Sequence, residues 1–130
     1  MNRWTVSNKA IFNLGYHLIF CPKYRKSILV GDVENRLKEL LMEKALELQI
    51  DIKEMEIMPD HVHLFVKTKP NESPHTIVGQ LKGYSSRILR QEFKDLRKLP
   101  SLWTRSYFAE TVGCISETAI RKYIANQKNV

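Results

Sequence analysis

Met58-Pro59-Asp60-His61-Val62-His63-Leu64-Phe65-Val66 is the stretch on which the fold of this 130-residue chain turns. Pro59-Asp60 is a turn signal. After it, Val62, Leu64 and Val66 alternate with His61, His63 and Phe65, the period of a short strand with one face in the core. Before it, the run from Ile50 to about Met58 reads as a second strand. Its parity shifts between Ile52 and Met55, which predicts a bulge there or a twist. The two runs together predict an antiparallel hairpin.

Upstream, Phe12, Leu14, Tyr16, Leu18 and Phe20 alternate over Ile11 to Phe20, predicting a strand that Cys21-Pro22 ends. Asp32 is placed to cap a helix carrying Val33, Leu37, Leu40, Leu41, Ala45 and Leu48 at helical spacing. Downstream, Asn71 to Pro74 reads as a loop. A helix follows from about His75 to Phe93, with Ile77, Leu81, Tyr84, Ile88 and Leu89 inward. Arg97 to Leu102 is a basic loop containing Pro100, and a weakly patterned strand is expected around Trp103 to Glu110. Ser116 is a candidate cap for a last helix to about Gln127. The order β-α-β-β-α-β-α predicts an α+β, ferredoxin-like (RRM-like) fold: an antiparallel sheet with helices on one face, plus a C-terminal helix. Residues 1–130 are expected to form one domain.

Hydrophobic residues make up 43% of the chain, enough for a folded core. Twenty-one Lys plus Arg against 14 Asp plus Glu leave a net charge of +7, which favours polyanionic partners over the alternative of a mere solubility charge. Cys21 and Cys114 form no C-x-x-C, so neither a zinc framework nor a disulfide scaffold is expected. No run approaches the ~20 apolar residues of a membrane span, and no signal peptide is evident. The expectation is a soluble, cytoplasmic protein without a membrane partner.

His61 and His63 stand two apart on one strand, so their side chains leave the same face with Cα atoms ~6.6 Å apart. Two imidazoles at that spacing can lean onto one metal ion at ~2.1 Å. Two surface histidines without a role would have the same spacing, and H-x-H alone leaves the two readings level. On the last helix, Tyr123 and Gln127 share a face. Tyr123 offers a phenolic nucleophile and Gln127 a carbonyl oxygen as a third, neutral metal ligand. Helical spacing by itself favours the plainer alternative, a packing stripe of Ile120, Tyr123 and Ile124.

Met58-Pro59-Asp60-His61-Val62-His63-Leu64, with Tyr123-Ile124-Ala125-Asn126-Gln127, resembles the single-tyrosine HUH transposases of the insertion sequence 200/605 family (TnpA type). Cys21-Pro22-Lys23-Tyr24-Arg25 and Leu81-Lys82-Gly83-Tyr84-Ser85 extend the resemblance over nearly the whole chain. The resemblance implies a homodimer that moves an element as single-stranded DNA and recognises imperfect hairpins near its ends. Tyr123 would be the catalytic nucleophile, forming a 5′-phosphotyrosine and leaving a free 3′-OH. His61, His63 and Gln127 would hold Mg²⁺ or Mn²⁺, and the tyrosine helix could complete the partner subunit's site. Such an enzyme would act in a bacterial or archaeal cytoplasm, at the nucleoid.

Candidate DNA-binding residues are Lys82, Ser86 and Arg90, which recur every four residues on the second helix, and Lys23 and Arg25, with Tyr24 and Lys26 beside them. Arg121 and Lys122 flank Tyr123 and would raise the potential where a phosphate must sit. Trp4 and Trp103 are assigned to core or interface, and His17 and His75 to structural roles. The competing function is a noncatalytic or domesticated RRM-like nucleic-acid-binding protein. Against it, the strand carries His61 and His63 where aromatic RNA-stacking residues would stand. Relaxases and replication nucleases are expected to need longer chains.

Overall fold

A computed structural model describes residues 5–7, 10–12, 14–69, 72–111 and 117–129; for 5–7, 10–12, 117–120 and 129 it describes the backbone. The elements are β1 (Thr5–Ser7), β2 (Ala10–Phe12), β3 (Leu14–Phe20), α1 (Gly31–Leu48), β4 (Asp51–Met58), β5 (His61–Thr68), α2 (Pro74–Glu92), β6 (Phe108–Thr111) and α3 (Glu117–Ala125). Short 3₁₀ turns lie at Lys23–Arg25, Lys94–Lys98 and Asn126–Asn129.

The central sheet is four-stranded and antiparallel in the order β4-β5-β3-β6, the ferredoxin-like arrangement expected from the element order. The β4–β5 hairpin closes at Pro59-Asp60, and its register shifts between Ile52 and Glu54, where the parity change predicts a bulge. Burial alternates strictly along β5: Val62, Leu64, Val66 and Thr68 are buried, while the residues between them are half-exposed. The buried set meets Leu18 and Phe20 of β3, Leu37, Leu40, Leu41 and Ala45 of α1, and Ile77, Leu81 and Leu89 of α2 in one core. α1 and α2 therefore cover one face, and the face bearing His61 and His63 is left to other elements.

Several boundaries differ from expectation. The alternation over Ile11 to Phe20 spans two elements, because β2 pairs with β1 in a separate two-stranded ladder. Periodicity reports which way a side chain points and is silent on the pairing partner. Asp32 does not cap α1. Val30 is the N-cap, without a side-chain hydrogen bond, and Gly31 turns the chain with φ +58°. Asp32 lies in the first turn, where its charge complements the helix dipole. Ser73 caps α2, accepting a hydrogen bond from the Thr76 amide at 3.1 Å.

The last strand begins later than Trp103, which makes only an isolated bridge to Pro22. Trp103 belongs to the core: its ring meets Phe20 edge-on at 4.9 Å, and its indole N–H donates to Ser85 Oγ at 3.1 Å. Trp4, Asn71, Cys114 and Ser116 lie outside the described residues.

Candidate active site

β5 presents His61 and His63 on the face away from α1 and α2, both half-buried. Each imidazole has one nitrogen engaged. His61 Nδ1 meets Asp60 Oδ1 at 2.9 Å, so the imidazole N–H donates to the carboxylate and Nε2 keeps its lone pair. A carboxylate behind a histidine is the usual partner that fixes a ligating ring. His63 Nε2 lies 3.1 Å from His17 Nδ1, and His17 in turn stacks on Phe65 with centroids 5.0 Å apart.

Pro59-Asp60 marks Asp60 as a turn residue, and neither its link to His61 nor that of His17 to His63 is expected from the H-x-H spacing. For His17 the signal was present. It has the parity opposite to Leu18 and Phe20, which puts it on the face of His61 and His63.

Burial, followed by the neighbouring His17, holds the His63 imidazole below its ordinary value of 6.5. His63 is therefore neutral at physiological pH, the form that can ligate a cation. Between its lowered folded value and 6.5 the unfolded chain binds the proton more readily. This group thus adds stability as pH rises through that window. In an NMR titration of the metal-free protein, the His63 ring should pass its midpoint below pH 6.5; a midpoint above it would contradict the burial.

Tyr123 and Gln127 sit at the C-terminal end, on α3 and the turn after it. Ser106, in the loop before β6, joins them: its hydroxyl donates to Gln127 Oε1 at 2.8 Å and lies 3.3 Å from the Tyr123 hydroxyl. Gln127 is buried, with 6% of its surface exposed. The Tyr123 ring rests 6.0 Å from that of Phe108. Phe108 pairs with Ile19, and Ile19 with His63, so all three share one face of the sheet. Tyr123 thus stands over the histidine face, about two strand spacings or ~10 Å from β5.

Among the described residues, neither Tyr123 nor Gln127 hydrogen-bonds to His61 or His63. Nor do any three His, Cys, Asp or Glu side chains among them group to hold a metal ion. The two imidazoles and the Gln127 oxygen are chemically suited to a divalent cation, with remaining positions for water and phosphate oxygens. Nothing in the sequence marks Ser106 as their bridge.

Burial raises the Tyr123 phenol above its ordinary value, more than hydrogen bonds from Ser106 and Thr104 lower it. At neutral pH the hydroxyl is protonated in this arrangement. Cys21, fully buried beneath the site, has its thiol pushed up to about 12 by burial and by Asp60, and is inert as a nucleophile.

The basic residues divide into two groups. Lys82 Nζ donates to the carbonyls of Thr104 and Ser106, both at 2.7 Å. Burial brings its ammonium down to about 8. Arg90 donates to the Leu99 carbonyl at 2.9 Å. These two members of the α2 stripe hold the connection to β6, and Ser86 between them is half-buried. Arg25 is likewise engaged, with Asp60 and the Ile124 carbonyl. Tyr84 donates its hydroxyl to Glu43 Oε1 at 2.7 Å, between Lys44 and Arg87.

Lys23 and Arg105 line a cleft of about 670 Å³ with Thr104, Ser106, Asn126 and Gln127. Arg121 and Lys122 are exposed on α3.

Lys82→Met leaves two loop carbonyls without their donor. It should cost about 1–3 kcal/mol of stability, read by urea unfolding, while single-stranded DNA affinity stays within about twofold. Unchanged stability with a large loss of DNA affinity would return Lys82 to the phosphate-binding stripe.

The ferredoxin-like sheet carries two histidines on its open face, and the Tyr123 ring meets Phe108 on the edge strand of that face. A family described as "Transposase IS200 like" matches residues 10–127. The chain belongs to this family, whose members are transposases.

It is 38% identical over 120 residues to the ISDra2 transposase TnpA of Deinococcus radiodurans, covering 90% of this chain and 86% of that protein. It is 33% identical over 120 residues to the transposase for insertion sequence element IS200 of Salmonella typhimurium, covering 89% of this chain and 78% of that protein. A crystal structure assigned to a transposase of Deinococcus radiodurans R1 superposes with a TM-score of 0.83 at 34% identity, over 100% of both chains. A REP-associated tyrosine transposase bound to a REP hairpin shares the fold, with a TM-score of 0.56 at 11% identity over 95% of this chain and 68% of that one.

Proposed function

We propose that this transposase cuts and rejoins single-stranded DNA through a 5′-phosphotyrosine on Tyr123. The observation that carries this reading is the meeting of Tyr123 and Gln127 at Ser106, with the Tyr123 ring against Phe108 on the face that bears His61 and His63. A phenol, a neutral carbonyl oxygen and two imidazoles are the groups that metal-assisted phosphoryl transfer needs.

In the reaction, the Tyr123 oxygen attacks the scissile phosphorus in line, and the bond from phosphorus to the 3′ oxygen breaks. The phenol gives up its proton and the departing 3′ oxygen gains one, so a phosphodiester is exchanged for another and no nucleotide is consumed. A 3′-OH attacking a phosphotyrosine reverses the step and joins strands. His61, His63 and Gln127 are the residues that would hold Mg²⁺ or Mn²⁺; the cation would polarise a phosphate oxygen and fix its position.

Lys23, Arg121 and Lys122, supported by Ser86 and the cleft-lining Arg105, are the candidate contacts for the DNA backbone. The roles of Lys82, Arg90 and Arg25 in DNA binding are secondary to the internal bonds they make.

The DNA partner is read as single strands with hairpin ends, and the working form as a homodimer with composite sites, in the cytoplasm at the nucleoid. No helix among the described residues is long and apolar enough to cross a membrane.

The test is incubation with single-stranded element ends and Mg²⁺, followed by denaturing electrophoresis. A covalent protein–DNA band is expected. Hairpin binding without any adduct would instead identify a noncatalytic nucleic-acid-binding protein.

A further inference from the structure

Arg25 makes contacts that a phosphate-binding arginine does not need. Its Nε lies 3.1 Å from Asp60 Oδ2, and its Nη1 donates to the Ile124 carbonyl at 3.1 Å. The other oxygen of Asp60 accepts from His61 Nδ1 at 2.9 Å. One unbroken path therefore runs from the imidazole of His61, through a carboxylate and a guanidinium, to the backbone of the tyrosine helix, one residue after Tyr123.

Both ends of the path are places where the bond matters. Ile124 lies in the last turn of α3, where helical carbonyls have no partner within the helix and where positive charge is favoured. Asp60 sits in the hairpin turn directly before His61, so its orientation fixes that ring.

The backbone around Arg25 is built for this. Tyr24 and Arg25 have φ of 59° and 50°, a left-handed conformation that non-glycine residues adopt rarely and only when the surroundings impose it. The turn is held by hydrogen bonds from Arg25 N to Pro22 O at 2.8 Å, from Lys26 N to Lys23 O at 3.2 Å and from Lys23 N to Leu102 O at 2.8 Å. The side chains of Arg25 and Asp60 are 20% and 25% exposed, so the ion pair is largely withdrawn from solvent.

We infer that Arg25 is a positioning residue that ties α3 to the histidine strand, so that docking of the tyrosine helix and orientation of the His61 ring depend on each other. The catalytic meaning of that link rests on the proposed transposase chemistry; its physical existence does not. A planar fork is required, because two donors must reach two acceptors in different directions at once. A lysine supplies the charge without the fork.

The test uses the metal-free, DNA-free full chain. Arg25→Lys should speed amide hydrogen exchange in residues 117–125 at least fivefold. It should also turn the single Nδ1–H tautomer of His61, seen by ring ¹⁵N NMR, into a mixture. Asp60→Asn, which keeps the shape and removes the anchoring charge, should speed exchange in the same helix.

Unchanged exchange in Arg25→Lys overturns the inference. So does faster exchange with His61 unaffected, because the link would then not reach the ring. A tenfold loss of oligonucleotide binding in Arg25→Ala with helix protection intact also overturns it, and makes Arg25 a phosphate donor. Failure to see a covalent adduct or metal binding in the parent protein would remove the transposase chemistry and leave these readouts standing.

Discussion

Tyr123→Phe is expected to abolish the covalent protein–DNA adduct while leaving the fold and hairpin binding in place. The substitution removes one oxygen. The ring and its 6.0 Å contact with Phe108 remain, as does the Ser106–Gln127 bond at 2.8 Å. The lost contacts are the 3.3 Å approach of Ser106 to the phenol and the lesser one from Thr104, together worth about 1–2 kcal/mol at most. A thermal melt should therefore shift only modestly, and hairpin affinity should stay within about twofold. Adduct formation should fall below detection, because the attacking oxygen is gone and the Cys21 thiol, buried and pushed up to about 12, cannot take its place.

The raised pKa of Tyr123 adds a second expectation. Burial keeps the phenol protonated at neutral pH, so adduct formation by the parent protein should accelerate as pH rises toward the alkaline range. Cleavage by Tyr123→Phe at the parent rate would end the covalent mechanism.

What was legible in the sequence follows from what each pattern encodes. Alternation encodes which side of a strand a residue faces. The faces of β5, the bulge in β4 and the sharing of one face by His61 and His63 could therefore be read directly. Alternation does not encode a strand's partner. The run Ile11 to Phe20 consequently looked like one strand, although it is divided between two sheets. Helical spacing put Tyr123 and Gln127 on one face, but nothing local identifies Ser106, twenty-one positions before Gln127, as their common partner.

Charge counting was the weakest guide. Lys82, Arg90 and Arg25 are spaced like phosphate donors, yet each spends donors on carbonyls of its own chain, and Arg25 spends another on Asp60. A cation's availability depends on the acceptors that the fold brings to it. Lys23, Arg105 and Gln127 come together in one cleft for the same reason: the turn after α3 packs beside the turn after β3.

The second large effect is expected at the proposed metal site. His61→Ala should lower Mn²⁺ affinity at least ~100-fold, since losing a residue that only supports a ligand already costs 10–100-fold in comparable sites. Cleavage in Mg²⁺ should disappear with it. The loss should not reflect unfolding. His61 is half-buried on the open face, and the core beneath it, from Val62 to Val66, is untouched.

The orphaned Asp60 oxygen faces partial solvent and keeps Arg25 as its counterion, so the turn retains its charge balance. With Asp60 still held by Arg25, Mn²⁺ affinity, read by electron paramagnetic resonance, reports the loss of the imidazole directly. A variant that binds Mn²⁺ as the parent does would remove His61 from the ligand set. A variant that loses Mn²⁺ yet keeps hairpin binding would separate the metal site from the DNA surface. That outcome is the expected one, because the histidines lie on β5 while the exposed cations lie on α3 and around the cleft at Gln127.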